Sequence, residues 1–67
     1  MARVTLARKL RRLREAQRLS QVDLCRRARL PYTYVARVEA GDIRSPTVAT
    51  RRKLAKALGV EITELLD

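Results

Sequence analysis

An all-α fold, a compact bundle of about five short helices, follows from three observations on the sequence. Apolar residues recur at intervals of three and four along most of the chain. Residues that cap or break helices (Thr5, Ser20, Pro31, Gly41, Thr47 and Gly59) cut that pattern into short segments. No stretch alternates apolar with polar residues as a half-buried strand would. The 67 residues, 1–67, leave room for one domain, and a chain this short buries only a small core. Phe, Trp and His are absent and the aromatics are Tyr32 and Tyr34 alone, so that core must be aliphatic.

Leu6, Leu10 and Leu13 define a first amphipathic helix over about residues 5–17, with Thr5 as its cap. Arg8, Lys9, Arg11, Arg12 and Arg14 lie between them, and this charged face reads equally as solvated surface or as a flank for phosphates. Ser20-Gln21-Val22-Asp23 fits the start of a second helix, about 21–28, with the Ser20 hydroxyl taking an orphan amide and Asp23 suited to the positive helix end. Val22, Leu24, Cys25 and Ala28 supply its apolar positions, and Cys25 is expected to be a small buried hydrophobe where two helices approach. Arg29-Leu30-Pro31 forms the turn, because proline lacks an amide hydrogen and presets the backbone angle of a first helical residue. A third helix over about 32–40 then turns Val35 and Val38 inward and Tyr32, Thr33, Ala36 and Arg37 outward, and Gly41 ends it. After a loop from Asp42 to Pro46, Thr47 caps a fourth helix. Its apolar face is Val48, Leu54, Ala55 and Leu58, its solvent face Arg51, Arg52, Lys53 and Lys56, and its stop Gly59. A last short turn from Ile62 to Leu66 brings Ile62, Leu65 and Leu66 to the core or to a partner chain.

Lys plus Arg number 16 against 7 Asp plus Glu, a formal charge of +9, which favours an anionic partner. The cations from Arg3 through Arg18 crowd the start, whereas Glu61, Glu64 and Asp67 make the tail acidic. Cys25 is the only cysteine, so no internal disulfide forms and no metal or other cofactor is expected; a reducing, cytoplasmic setting fits. No apolar run reaches the length of a membrane span. Without histidine, a reactive-cysteine setting or a phosphate-cradling glycine loop, catalysis is not expected.

The segments LRRLREAQRLSQVDL (10–24), RVEAG (37–41) and KLAKALGVEITELL (53–66) together resemble the lambda-repressor and Cro-type helix-turn-helix family, also called the xenobiotic-response-element type. The likeness covers about residues 5–66, with the motif at about 21–40. Four features depart from the pattern: Arg29 replaces the usual turn glycine, Pro31 replaces a capping Ser or Thr, Arg51 stands at a common leucine position, and the Asp42–Pro46 loop is slightly long. The resemblance implies a sequence-specific regulator of transcription, a repressor, that reads the major groove of double-stranded DNA with the helix at 32–40. The other reading it leaves open is a protein-interaction or antitoxin-like module on the same fold.

Carried over residue by residue, the resemblance places Gln21, Tyr32, Thr33, Ala36 and Arg37 at base edges, Gln21 at a phosphate as well, and Ser20, Tyr34, Arg44 and Arg14 at phosphates. Tyr34 fits packing as well as phosphate contact, and Gln21 fits solvated surface as well as DNA. Arg37 could instead meet an acidic side chain, although it shares its face with Tyr32 and Thr33. Arg14 and Glu39 resemble a buried pair that ties the first helix to the third. Members commonly dimerise, and Ile62, Leu65 and Leu66 are the homodimer candidates, with core packing as the competing role.

Overall fold

The computed structural model describes residues 5–66; Arg3 and Asp67, counted in the uneven charge of the two ends, lie outside them. Four α-helices and one 3₁₀ turn follow in order: α1 (Leu6–Ala16), α2 (Gln21–Ala28), α3 (Tyr34–Glu39), α4 (Val48–Leu58) and the turn Ile62–Leu65. No strand occurs among the described residues. The elements pack in a ring, α1 on α3, α3 on α2, α2 on α4, α4 on the 3₁₀ turn, and the turn back on α1. Leu10, Leu24, Leu54, Leu65, Val35, Val38 and Cys25 fill the centre and are almost wholly removed from water. This aliphatic core is what the absence of large aromatics required.

Local chemistry sets each helix start. The Thr5 hydroxyl accepts from the Arg8 amide at 3.3 Å, and Thr47 accepts from the Thr50 amide at 3.2 Å. Ser20 makes a reciprocal capping box. Its hydroxyl accepts from the Asp23 amide at 2.9 Å, and its own amide donates to the Asp23 carboxylate at 3.1 Å.

All four helices end in one way. The amide after the left-handed residue reaches back five positions, as in Leu19 to Arg14, Leu30 to Cys25, Asp42 to Arg37 and Val60 to Ala55. The left-handed residue itself donates three positions back, which completes the paired carbonyl capping of a Schellman ending. Gly41 and Gly59 occupy the left-handed position in α3 and α4, but Arg18 and Arg29 occupy it in α1 and α2, with φ of 56° and 57°. Arg29 was legible from the family pattern; Arg18 was not. A side chain is disfavoured in that conformation and glycine is not. Arg18→Gly and Arg29→Gly are therefore each expected to stabilise the fold by about 0.5–1 kcal/mol in thermal unfolding. A drop in melting temperature for either would contradict the reading.

Four expectations are corrected. The third helix is shorter than 32–40. Pro31 is not its first residue but accepts the Tyr34 amide at 2.9 Å, so Tyr32 and Thr33 form a turn and regular helix starts at Tyr34. Val22 is 40% exposed, because the buried face of α2 is Leu24, Cys25 and Ala28, which a helical wheel sets away from Val22. Val48 is 56% exposed at the head of α4, and the buried stripe begins one turn later at Arg51. Arg51 itself is buried rather than solvated. Its guanidinium donates to the carbonyls of Pro46 (3.2 Å) and Leu65 (2.5 Å), so it clasps the loop before α4 to the last turn.

Candidate nucleic-acid interface

The surface around α3 is set by what lies behind it. Val35 and Val38 are 0% and 1% exposed, and this fixes the rotation of the helix. Thr33 makes no side-chain cap, so the first amides of α3 need other acceptors. One is the carbonyl of Pro31; another is a sulfur. The Val35 amide donates to Cys25 Sγ at 3.4 Å, and the thiol lies 3.6 Å from the Tyr32 carbonyl as its acceptor. Cys25 is the small buried residue expected, and it also caps the next helix across the turn. The clue available in the sequence was a third helix with no acceptor of its own.

The opposite side of this segment faces solvent. Tyr32 is 61% exposed, and Thr33 and Arg37 are also exposed, whereas Ala36 between them is half-buried. Thr33 and Arg37 are four residues apart and Ala36 lies within the same stripe. Arg37 forms no ion pair among the described residues, so its planar fork of donors is available to a ligand. Arg44 is exposed on the following loop, and Tyr34 is half-buried against the core.

Glu39, near the end of α3, locks the stripe to the two preceding helices. Arg14 Nε donates to its carboxylate at 2.7 Å and Arg14 Nη2 at 2.9 Å, in a two-pronged pair with the glutamate side chain 1% exposed. Gln21 Nε2 donates to the same carboxylate at 3.1 Å, and Arg11 Nε approaches at 3.4 Å from the surface. Burial alone would push the Glu39 carboxyl up; the donors of Arg14, Gln21 and Arg11 outweigh it and hold the group below its ordinary value. The same hydrogen bond raises the Arg14 guanidinium above its usual value despite desolvation.

This network sorts the residues expected at DNA. Arg14 leaves the phosphate set: it is 9% exposed, and its third nitrogen donates to the Leu19 carbonyl at 2.8 Å, so it ties α1 to α3 and to the connection before α2 instead. The Arg14–Glu39 pair is thereby the structural tie that the resemblance implied. Gln21 is half-buried and gives one of its two amide hydrogens to Glu39, leaving one donor at the head of α2. Ser20 is exposed, and its hydroxyl keeps a hydrogen to donate after accepting from Asp23. Gln21 is therefore tied through Glu39 to α3, the helix that carries Ala36 and Arg37, whereas no side-chain hydrogen bond or ion pair among the described residues ties Ser20 or Arg44 to that helix. The homodimer candidates also separate: Leu65 is wholly buried in the core, Ile62 is partly buried against it, and only Leu66, 40% exposed, faces out.

A family model described as helix-turn-helix matches residues 10–65. The restriction-modification controller protein C.AhdI from Aeromonas hydrophila is 40% identical and superposes with a TM-score of 0.86 over 94% of each chain. A hypothetical transcription factor, NHTF, from Neisseria is 34% identical with a TM-score of 0.88, over 96% of this chain and 72% of that one. HigA2 of Mycobacterium tuberculosis, named as a candidate antitoxin, is 45% identical over 54 residues, 81% of this chain and 54% of that protein. The chain thus spans about half the length of that curated relative. No helix among the described residues is long and apolar enough to cross a membrane. The match over nearly the whole chain, with an exposed polar stripe set on buried valines, shows that the chain belongs to the helix-turn-helix family of the Cro/C1 type.

Proposed function

We propose that this domain is a sequence-specific regulator of transcription that binds double-stranded DNA in the cytoplasm and represses by occupying an operator. One observation carries the reading: α3 buries Val35 and Val38 completely while Tyr32, Thr33 and Arg37 remain in water. A helix laid in the major groove needs such a stripe, and the base-edge pattern there distinguishes all four base pairs. Arg37 matches the paired acceptors of a guanine, O6 and N7. Thr33 and Ala36 suit a thymine methyl, and Tyr32 stands where α3 enters the groove. Ser20, the remaining amide hydrogen of Gln21, Arg44 and the Tyr34 hydroxyl serve phosphates, which set register rather than sequence. Two copies are expected on half-sites about 34 Å apart, with Leu66 and the outer edge of Ile62 as the contact between them. A randomised-duplex selection tests the central role. Arg37→Ala is expected to lose about 1–3 kcal/mol of discrimination at one base pair with the rest of the preference kept. A preference identical to that of the parent chain would remove Arg37 from the base-reading set.

The likeness to a candidate antitoxin supports a second reading, in which the same fold meets a protein. The two separate on salt. Binding to duplex DNA through several phosphates weakens by orders of magnitude between about 50 and 200 mM salt. A chain with no salt-sensitive duplex binding belongs to the second reading.

A further inference from the structure

The ends of α2 and α4 enclose a groove of about 690 Å³ that shares no residue with α3 or with the head of α2. Arg27, Arg29, Lys53 and Lys56 line it, and the small residues Ala28 and Ala57 form its floor. No carboxylate lines the groove, and none of the four cations is ion-paired among the described residues. All four side chains are exposed. Arg27 and Lys56 sit in the last turns of their helices, where a cation offsets the helix dipole. That account does not reach Lys53, in mid-helix, or Arg29, beyond the end of α2. Arg29 is held left-handed, where glycine would be less strained, and its side chain makes no hydrogen bond or ion pair among the described residues.

We propose that this groove is a docking surface for an acidic, extended segment of a partner protein. Charge complementarity supplies the attraction. The alanine floor leaves room for a backbone to lie between two walls of cations, which a segment with alternating carboxylates would meet on both sides. A single-stranded nucleic acid is disfavoured, because such strands stack on aromatic side chains and Tyr32 and Tyr34 lie outside the lining. The inference does not depend on the DNA reading, because the residues involved differ.

The experiment is a titration of the isotopically labelled full chain, by amide chemical shift, with a hexaglutamate peptide at about 150 mM salt, where loose surface attraction is largely screened. An oligothymidylate of equal length is titrated in parallel. The peptide is expected to shift the amides around Arg27–Arg29 and Lys53–Ala57. Joint replacement Lys53→Glu with Lys56→Glu is expected to weaken binding about tenfold or more, whereas Arg8→Glu with Arg12→Glu on α1 leaves it unchanged. Lys53→Gln with Lys56→Gln gives an intermediate loss and serves if the charge-reversed chain does not fold. Shifts spread evenly over α1 and α3, undiminished affinity in the lysine variants, or tighter seating of the oligothymidylate in the groove would each overturn the proposal.

Discussion

Glu39→Ala is expected to destabilise the domain by about 3–5 kcal/mol, the usual result of removing one partner from a buried ion pair. The side chains of Glu39 and Arg14 are 1% and 10% exposed, so solvent screens little of this interaction. Without the carboxylate, the Arg14 guanidinium loses two short hydrogen bonds and remains in place with only the Leu19 carbonyl, and Gln21 loses its acceptor. A domain of this size has only several kcal/mol of net stability, so the melting temperature should fall by more than about 10 °C. The same group sets an acid limit. Its folded pKa lies below the unfolded value, so between the two the unfolded chain binds more protons and stability rises with pH. The stabilisation is thus fully present above the ordinary glutamate value and is lost as pH falls through the lowered folded value. Asp23, lowered first by the hydrogen bond from the Ser20 amide, adds a slope of the same sign. Glu39→Gln should flatten the acid side of the melting profile and leave the Asp23 slope. A profile unchanged by Glu39→Gln would show that the carboxylate is not ionised by its neighbours in the way described.

Leu24→Ala is expected to cost about 2–5 kcal/mol in chemical or thermal unfolding. Leu24 is wholly buried on α2, which packs against both α3 and α4, so the cavity opens where the motif joins the rest of the ring. Loss of DNA affinity should accompany it even at temperatures where the chain is still folded, because α3 is held in place by α2. Val48→Ala, at a 56% exposed position with no assigned contact, is the control and should stay within about 0.5 kcal/mol. Equal losses for the two variants would mean that the core has been placed wrongly.

Periodicity was enough to locate α1, α2 and α4 to within a residue, because each begins with a hydroxyl-bearing cap and carries apolar residues at helical spacing. The fold class and the inward face of α3 were legible for the same reason. What the pattern concealed was polar and tertiary in origin. Arg51 occupies a core position of the α4 stripe, and the carbonyls of Pro46, just before the helix, and of Leu65, in the last turn, explain why an arginine can lie there. Arg18 gives no local sign of its left-handed backbone, since its conformation follows from the way Leu19 closes α1. Pro31 misled the start of α3 because proline favours both a first helical position and the turn just before one. At the interface, the outward residues were readable from helical spacing, but the assignment of Arg14 to structure and the half-commitment of Gln21 required the position of Glu39 in space.

The most direct test of the major-groove claim is dimethyl sulphate probing of a selected duplex, since this reagent attacks guanine N7 in the major groove and adenine N3 in the minor groove. The parent chain is expected to protect guanine N7 within each half-site, with Arg37→Ala uncovering one of those guanines. Protection confined to adenine N3, with every guanine N7 left reactive, would contradict an α3 that reads base edges from the major groove.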